Sequence, residues 1–168
     1  MRGRVIAGSL ATAAVAWFAL AVLAPVLPAA LAAAVYTVGS LICHQIPDRS
    51  FHWHGAQLAV CARCTGIYLG ACAMALLAPL PPSLSARWGA PTRIAWLLGA
   101  AAVPMGVTLV AEWTGVWEPS CTVRAATGVV LGTAGALALV AAIDYSECLP
   151  RADAAPRPPH QPPPPTPI

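Results

Sequence analysis

The chain is 168 residues long, 58% hydrophobic and only 9% charged, with a mean hydropathy of +0.71, which excludes an ordinary soluble domain. Its net charge of +3 is carried by arginine alone, because the sequence contains no lysine. No basic stripe with interleaved aromatics accompanies that charge, so it is read as membrane topology, with no nucleic-acid partner.

Apolar runs of about 18 to 20 residues suffice to cross a bilayer as helix. Val5 to Leu23 is such a run, preceded by Arg2 and Arg4. It predicts a first crossing; a cleaved signal peptide is the competing reading, given the small residues at Ala30 to Ala32. Pro25 and Pro28 end that helix, and the next apolar stretch, Ala29 to Ile42, is short for a crossing. It is expected to lie at the outer surface or against the bundle. A second full-length helix is expected from about Val60 through Thr65 to Leu80, closed by Pro79, Pro81 and Pro82. A third is expected over Ile94 to Glu112 with Pro104 inside it, and a fourth over Arg124 to Ile143. The expected fold is therefore an all-α membrane bundle of about four crossings plus one short helix, in a single domain over 1–149. Beyond Leu149 the tail holds nine of the 18 prolines and no apolar run, which predicts an extended, disordered segment over 150–168.

Arginine placement orients the bundle. With four crossings, Arg2, Arg4, Arg87, Arg93, Arg151 and Arg157 fall on one side, and Arg49, Arg63 and Arg124 on the other. The excess places both termini in the cytoplasm of a plasma (inner) membrane protein, with the segment around Arg49 facing outward.

That segment, Cys43 to Gly70, concentrates the chain's chemistry. It holds three of the six cysteines and three of the four histidines, between runs of Ala, Val, Leu and Gly. Cys61 and Cys64 stand three apart, on one face once a helix has begun, and a helix N-terminus together with Arg63 favours thiolate. Adding Cys43 and His44 completes a tetrahedral Zn²⁺ set of three thiolates and one imidazole. Gln45, Arg49, Arg63 and Tyr68 are the expected groups orienting those ligands by hydrogen bonds. A c-type haem site is excluded, because Thr65 rather than His follows Cys64. The same thiols support two other readings: a membrane thiol–disulfide oxidoreductase coupled to quinone, with Cys121 as a fourth thiol, and a loop clamped by one structural disulfide. His52 and His54, flanking Trp53, fit a membrane interface better than a metal site.

Two helices begin alike. Thr65-Gly66-Ile67-Tyr68-Leu69-Gly70 matches Thr127-Gly128-Val129-Val130-Leu131-Gly132, each with an arginine just upstream. This raises a parallel repeat of a helical hairpin, and the paired glycines predict close packing of these two helices. Arg63 and Arg124 then need partners near hydrocarbon, and Glu112 and Glu118 are the candidates.

The pattern Cys43-His44-Gln45, Pro47, Arg49-Ser50-Phe51, Gly55, Gln57 and Val60-Cys61-Ala62-Arg63-Cys64-Thr65-Gly66-Ile67-Tyr68, Gly70 resembles a family of small prokaryotic membrane proteins catalogued as domain of unknown function 2085. The likeness extends through Pro104 and Arg124 to Thr127-Gly128. It implies a multi-pass membrane protein with a shared Cys/His/Arg site, and it implies no particular reaction. An acid expected one turn after Pro104 is replaced here by Thr108, which leaves Glu112 as the candidate for its role. Cys121, His52 and His54 fall outside the pattern, so the oxidoreductase reading that used Cys121 loses ground.

Overall fold

A computed structural model describes residues 2–77 and 90–148. The proline-rich tail expected over 150–168 and most of the loop between the second and third expected crossings lie outside the described residues. Helix α1 runs Arg2–Leu23 and passes into a 3₁₀ turn, Ala24–Val26. Extended Leu27 and Pro28 then redirect the chain into α2, Ala29–Ile42, the short helix expected from the sequence. Helix α3 spans Ala62–Leu77, α4 spans Pro91–Trp113 and α5 spans Cys121–Cys148. Between α2 and α3 lie a 3₁₀ turn, Pro47–Arg49, and a small antiparallel hairpin of β1, His52–Trp53, and β2, Ala56–Gln57.

The chain is an all-α membrane protein with little sheet. Three segments are long and apolar enough to span a bilayer: Gly8–Val26, Pro91–Trp113 and Cys121–Ile143. Helix α3 is shorter, at 16 described residues, and its expected end at Leu80 lies outside the described residues. Along α4, Trp96, Val103, Val107 and Val110 are exposed, a row of large apolar side chains that suits lipid rather than water. Helix α4 starts earlier than expected, with Pro91 in its first turn, where the missing N–H is no loss. Helix α5 begins at Cys121, three residues before the expected Arg124, so that arginine is already held on a formed helix.

The bundle is built on α3. It packs most extensively along α5, and on its other side against α1. The α3–α5 contact runs through the two matched glycine pairs, as their spacing predicts. A Cβ on Gly66 would overlap the Ala125 carbonyl, and one on Gly70 the Val129 carbonyl. From the other side, Gly128 meets the Arg63 carbonyl and Gly132 the Ile67 carbonyl. In lipid no hydrophobic force drives helices together, so backbone approach of this kind carries the association. Against α1, the ring of Tyr68 meets Trp17 edge to face at a centroid distance of 6.5 Å and an angle of 88°.

Candidate functional site

The loop between α2 and α3 is held by a side-chain network rather than by regular structure. Gln45 adopts a left-handed backbone (φ 49°), and its Nε2 donates to the carbonyls of Tyr36 at 2.9 Å and Ala59 at 2.7 Å. Gln57 Nε2 donates to the Gln45 carbonyl at 2.6 Å and to Ser50 Oγ at 3.2 Å. The Tyr36 hydroxyl donates to the Gln57 carbonyl, and Ser50 Oγ to that of Ile46 at 2.8 Å. The hairpin closes through His54 and Gly55, both at positive φ, the backbone of a two-residue type I′ turn. Past it, Leu58, Ala59 and Val60 are buried, and Ala59 N–H reaches the Ala21 carbonyl on α1. These contacts fix where Cys43 ends α2 and where Cys61 precedes α3.

Cys43, Cys61 and Cys64 come together there. Their three Sγ atoms lie within 4.8 Å of one another, and all three are free thiols. The Cys61 backbone N–H donates to Cys43 Sγ at 3.1 Å, tying the two strands of the site. Cys43 is buried, Cys61 and Cys64 are half-buried, and Tyr68 packs beside them on the same small core. The Cys61 thiol is lowered to about 5, first by its hydrogen bond with the Cys64 side chain and then by the Cys64 backbone, Cys43 and the Arg63 backbone, against the upward push of burial. The Cys64 side chain thus favours the thiolate form of Cys61.

A second cluster surrounds Glu112. Its carboxylate receives Arg49 Nη1 at 2.6 Å and Arg124 Nη2 at 3.1 Å on Oε1, and Arg63 Nη2 at 2.7 Å on Oε2. The side chains of Glu112 and Arg124 are each 4% exposed, that of Arg63 12%, and that of Arg49 39%. The carboxylate sits in the last turn of α4, where the helix dipole disfavours an anion, so the arginines must outweigh that field. The turn is fixed by its cap: Val116 N–H bonds to the Ala111 carbonyl and Gly115 N–H to that of Glu112, with Gly115 at φ 69°. This is a Schellman motif, and the left-handed residue it needs is glycine.

The sequence-derived site divides between these clusters. Cys43, Cys61 and Cys64 meet as expected, whereas the His44 side chain is exposed and stands outside the trio. Gln45 shapes the loop, and Tyr68 packs beside the thiols. Arg49 and Arg63 are engaged by Glu112. Of the two acids proposed for Arg63 and Arg124, Glu112 takes both, while Glu118 is exposed. Cys121 Sγ lies against the carbonyls of Ser50 at 3.7 Å and Asp48 at 3.9 Å, and it is not one of the three clustered thiols. Thr108 is buried and bonds back to the Met105 carbonyl. Sequence reasoning missed the hairpin, whose only local sign is the His54-Gly55 pair, and the convergence of three arginines on one acid.

Residues 43–138 match a family described as predicted membrane protein, DUF2085. The chain belongs to this family. The part of this DUF2085 protein that matches begins at Cys43 and ends within α5, so it contains all three clustered thiols and all four members of the Glu112 cluster. An uncharacterized protein of Methanocaldococcus jannaschii is 39% identical over 98 residues, covering 58% of this chain and 61% of that one. An uncharacterized protein of Methanothermobacter thermautotrophicus is 36% identical over 91 residues, covering 54% and 78% respectively. The chain thus spans 61% of the length of the first of these relatives. No solved structure matches it.

Proposed function

We propose that this membrane protein binds Zn²⁺, or a metal of similar preference, through Cys43, Cys61 and Cys64. The observation that supports this is the approach of three free thiols, drawn from two segments, to within 4.8 Å of one another. Zinc thiolate bonds are about 2.3 Å long, so tetrahedral ligands stand roughly 3.8 Å apart, and the trio needs only a small closure to reach that spacing. The downward shift at Cys61 favours the deprotonated form that a metal ligand requires. The exposed His44 side chain is the nearest imidazole in sequence to serve as fourth ligand; without it, the fourth position is left to water or substrate. In the proposed topology the site faces outward from the plasma membrane, with both termini in the cytoplasm.

A second reading has one observation in its favour. A thiolate at Cys61 stabilised by the adjacent Cys64 thiol is also the resting arrangement of a Cys-x-x-Cys thiol–disulfide oxidoreductase. One sample separates the two: detergent-purified, unchelated protein assayed for metal content and free thiols together. The metal reading expects about one zinc per chain, with the three thiols reduced and protected from alkylation until a chelator is added. Absence of metal with Cys61 and Cys64 joined in a disulfide would overturn it in favour of the oxidoreductase.

A further inference from the structure

Three guanidinium charges meet one carboxylate at Glu112, which leaves two positive charges uncompensated within the cluster. Arg63 and Arg124 are largely buried, and a surplus charge beside hydrocarbon is costly. Their hydrogen-bonding capacity is unspent too. A guanidinium has five N–H donors, and among the described residues the buried Nε–H of Arg63 and that of Arg124 have no acceptor. Glu112 has too few acceptor sites for both, since Oε1 already serves Arg49 and Arg124 and Oε2, serving Arg63, has room for one more donor at most. Water would satisfy a donor but not the charge. Arg49 alone is substantially exposed, so the cluster is open at its edge.

We infer that Arg49, Arg63 and Arg124 form a binding site for a phosphate-type oxyanion, with Glu112 holding the three guanidiniums in place. A tetrahedral phosphoryl group offers the negative charge and the several acceptor oxygens that the cluster lacks, and planar guanidinium forks match it. A free phosphate and the phosphodiester of an anionic lipid headgroup carry the same chemistry; the cluster lies at the end of the spanning segment Pro91–Trp113, at a depth that suits either. The metal reading is not needed for this, because no cysteine takes part.

The test uses the full chain in neutral detergent, treated with chelator. Its thermal unfolding is followed while sodium phosphate is titrated against sodium chloride of equal ionic strength. In parallel, the chain is placed in nanodiscs of phosphatidylcholine with and without phosphatidylglycerol, and retained lipid is counted by native mass spectrometry. Arg49→Gln is the main variant, since its half-exposed side chain leaves the buried pairs intact; Arg124→Lys is the second and keeps the charge while losing the planar fork. The expected result is stabilisation of the parent by phosphate beyond the chloride control, with binding weakened about tenfold in Arg49→Gln. Retention of phosphatidylglycerol by the parent and not by the variant would equally support the site and identify a lipid as its source. Stabilisation matched by chloride, or phosphate and phosphatidylglycerol binding unchanged in both variants, would overturn it.

Discussion

Replacing Glu112 by Gln removes one negative charge with almost no change of shape, and the structure fixes how much that should matter. Three ion pairs are lost together, but they do not count equally. The Arg49 pair, 39% exposed on the arginine side, behaves as a surface pair worth about 0–1 kcal/mol. The pairs with Arg63 and Arg124 are 12% and 4% exposed on the arginine side, and the shared carboxylate is 4% exposed. Removing one partner of a buried pair costs about 3–5 kcal/mol, because the stranded charge keeps its desolvation penalty. The two buried pairs share that carboxylate, so their losses do not add. Glu112→Gln should therefore lower stability by about 3–5 kcal/mol, against about 1 kcal/mol or less for Arg49→Gln. Unfolding of the detergent-solubilised protein by increasing denaturing detergent, followed by tryptophan fluorescence, measures both. A Glu112→Gln protein within about 1 kcal/mol of the parent, or no more destabilised than Arg49→Gln, would refute the reasoning: the arginines would then be solvated well enough to need no counter-charge.

Other outcomes follow from the same geometry. Gly128→Ala places a methyl against the Arg63 carbonyl, so α3 and α5 must separate; overpacking of this kind costs about 1–3 kcal/mol, read in the same unfolding assay. Gly115→Ala meets open space but forces a left-handed backbone at φ 69°, and should cost about 1–2 kcal/mol by the same measurement. Chelated protein should alkylate at Cys61 with a midpoint near pH 5 rather than in the ordinary thiol range, and Cys64→Ala should move that midpoint upward, because the Cys64 side chain is the largest cause of the shift. The sign for stability is that of an acid with a lowered folded pKa: the Cys61 contribution is fully present above the unfolded thiol value and is lost as pH falls through about 5. Cys61→Ser should remove that acid-side loss from a stability profile. Single replacement of Cys43, Cys61 or Cys64 by Ser should abolish zinc retention, checked by metal analysis after size exclusion.

What was legible in the sequence was what repeats or runs. The apolar stretches marked all five helices, α2 at its full extent, and the two Gly-x-x-x-Gly segments announced a contact that the fold makes. The thiol trio was also legible, because Cys61 and Cys64 share a helix face and Cys43 is the neighbouring thiol upstream. His44 shows the limit. Sequence adjacency to Cys43 suggests a shared site, but Cys43 is in extended backbone at the end of α2, where successive side chains point to opposite sides. Burying the sulfur therefore turns the imidazole outward. The Glu112 cluster was only half visible, since the sequence showed arginines needing an acid but not that three from separate segments would choose the same one. That choice is tertiary, set by the α4 cap and the α3–α5 crossing.

The first turns of α3 show why the two clusters can coexist in so apolar a protein. At about 100° per residue, Cys61, Cys64 and Tyr68 fall on one side of the helix, and Arg63, Gly66, Ile67 and Gly70 on the opposite side. The first set meets the core formed with α1 and α2; the second meets α5, through glycines that bring the backbones together, and Glu112 on α4. A single helix thus presents thiolate chemistry on one face and guanidinium chemistry on the other, separated by its own backbone. Crowding Arg63 and Cys64 into adjacent positions then costs little, because their side chains diverge. The crossing with α5 holds the rotation that serves both: turning α3 would carry Arg63 away from Glu112 and, at the same time, Cys61 and Cys64 away from Cys43. The glycine contacts that fix the rotation of α3 are therefore part of both sites, although no glycine supplies a ligand to either.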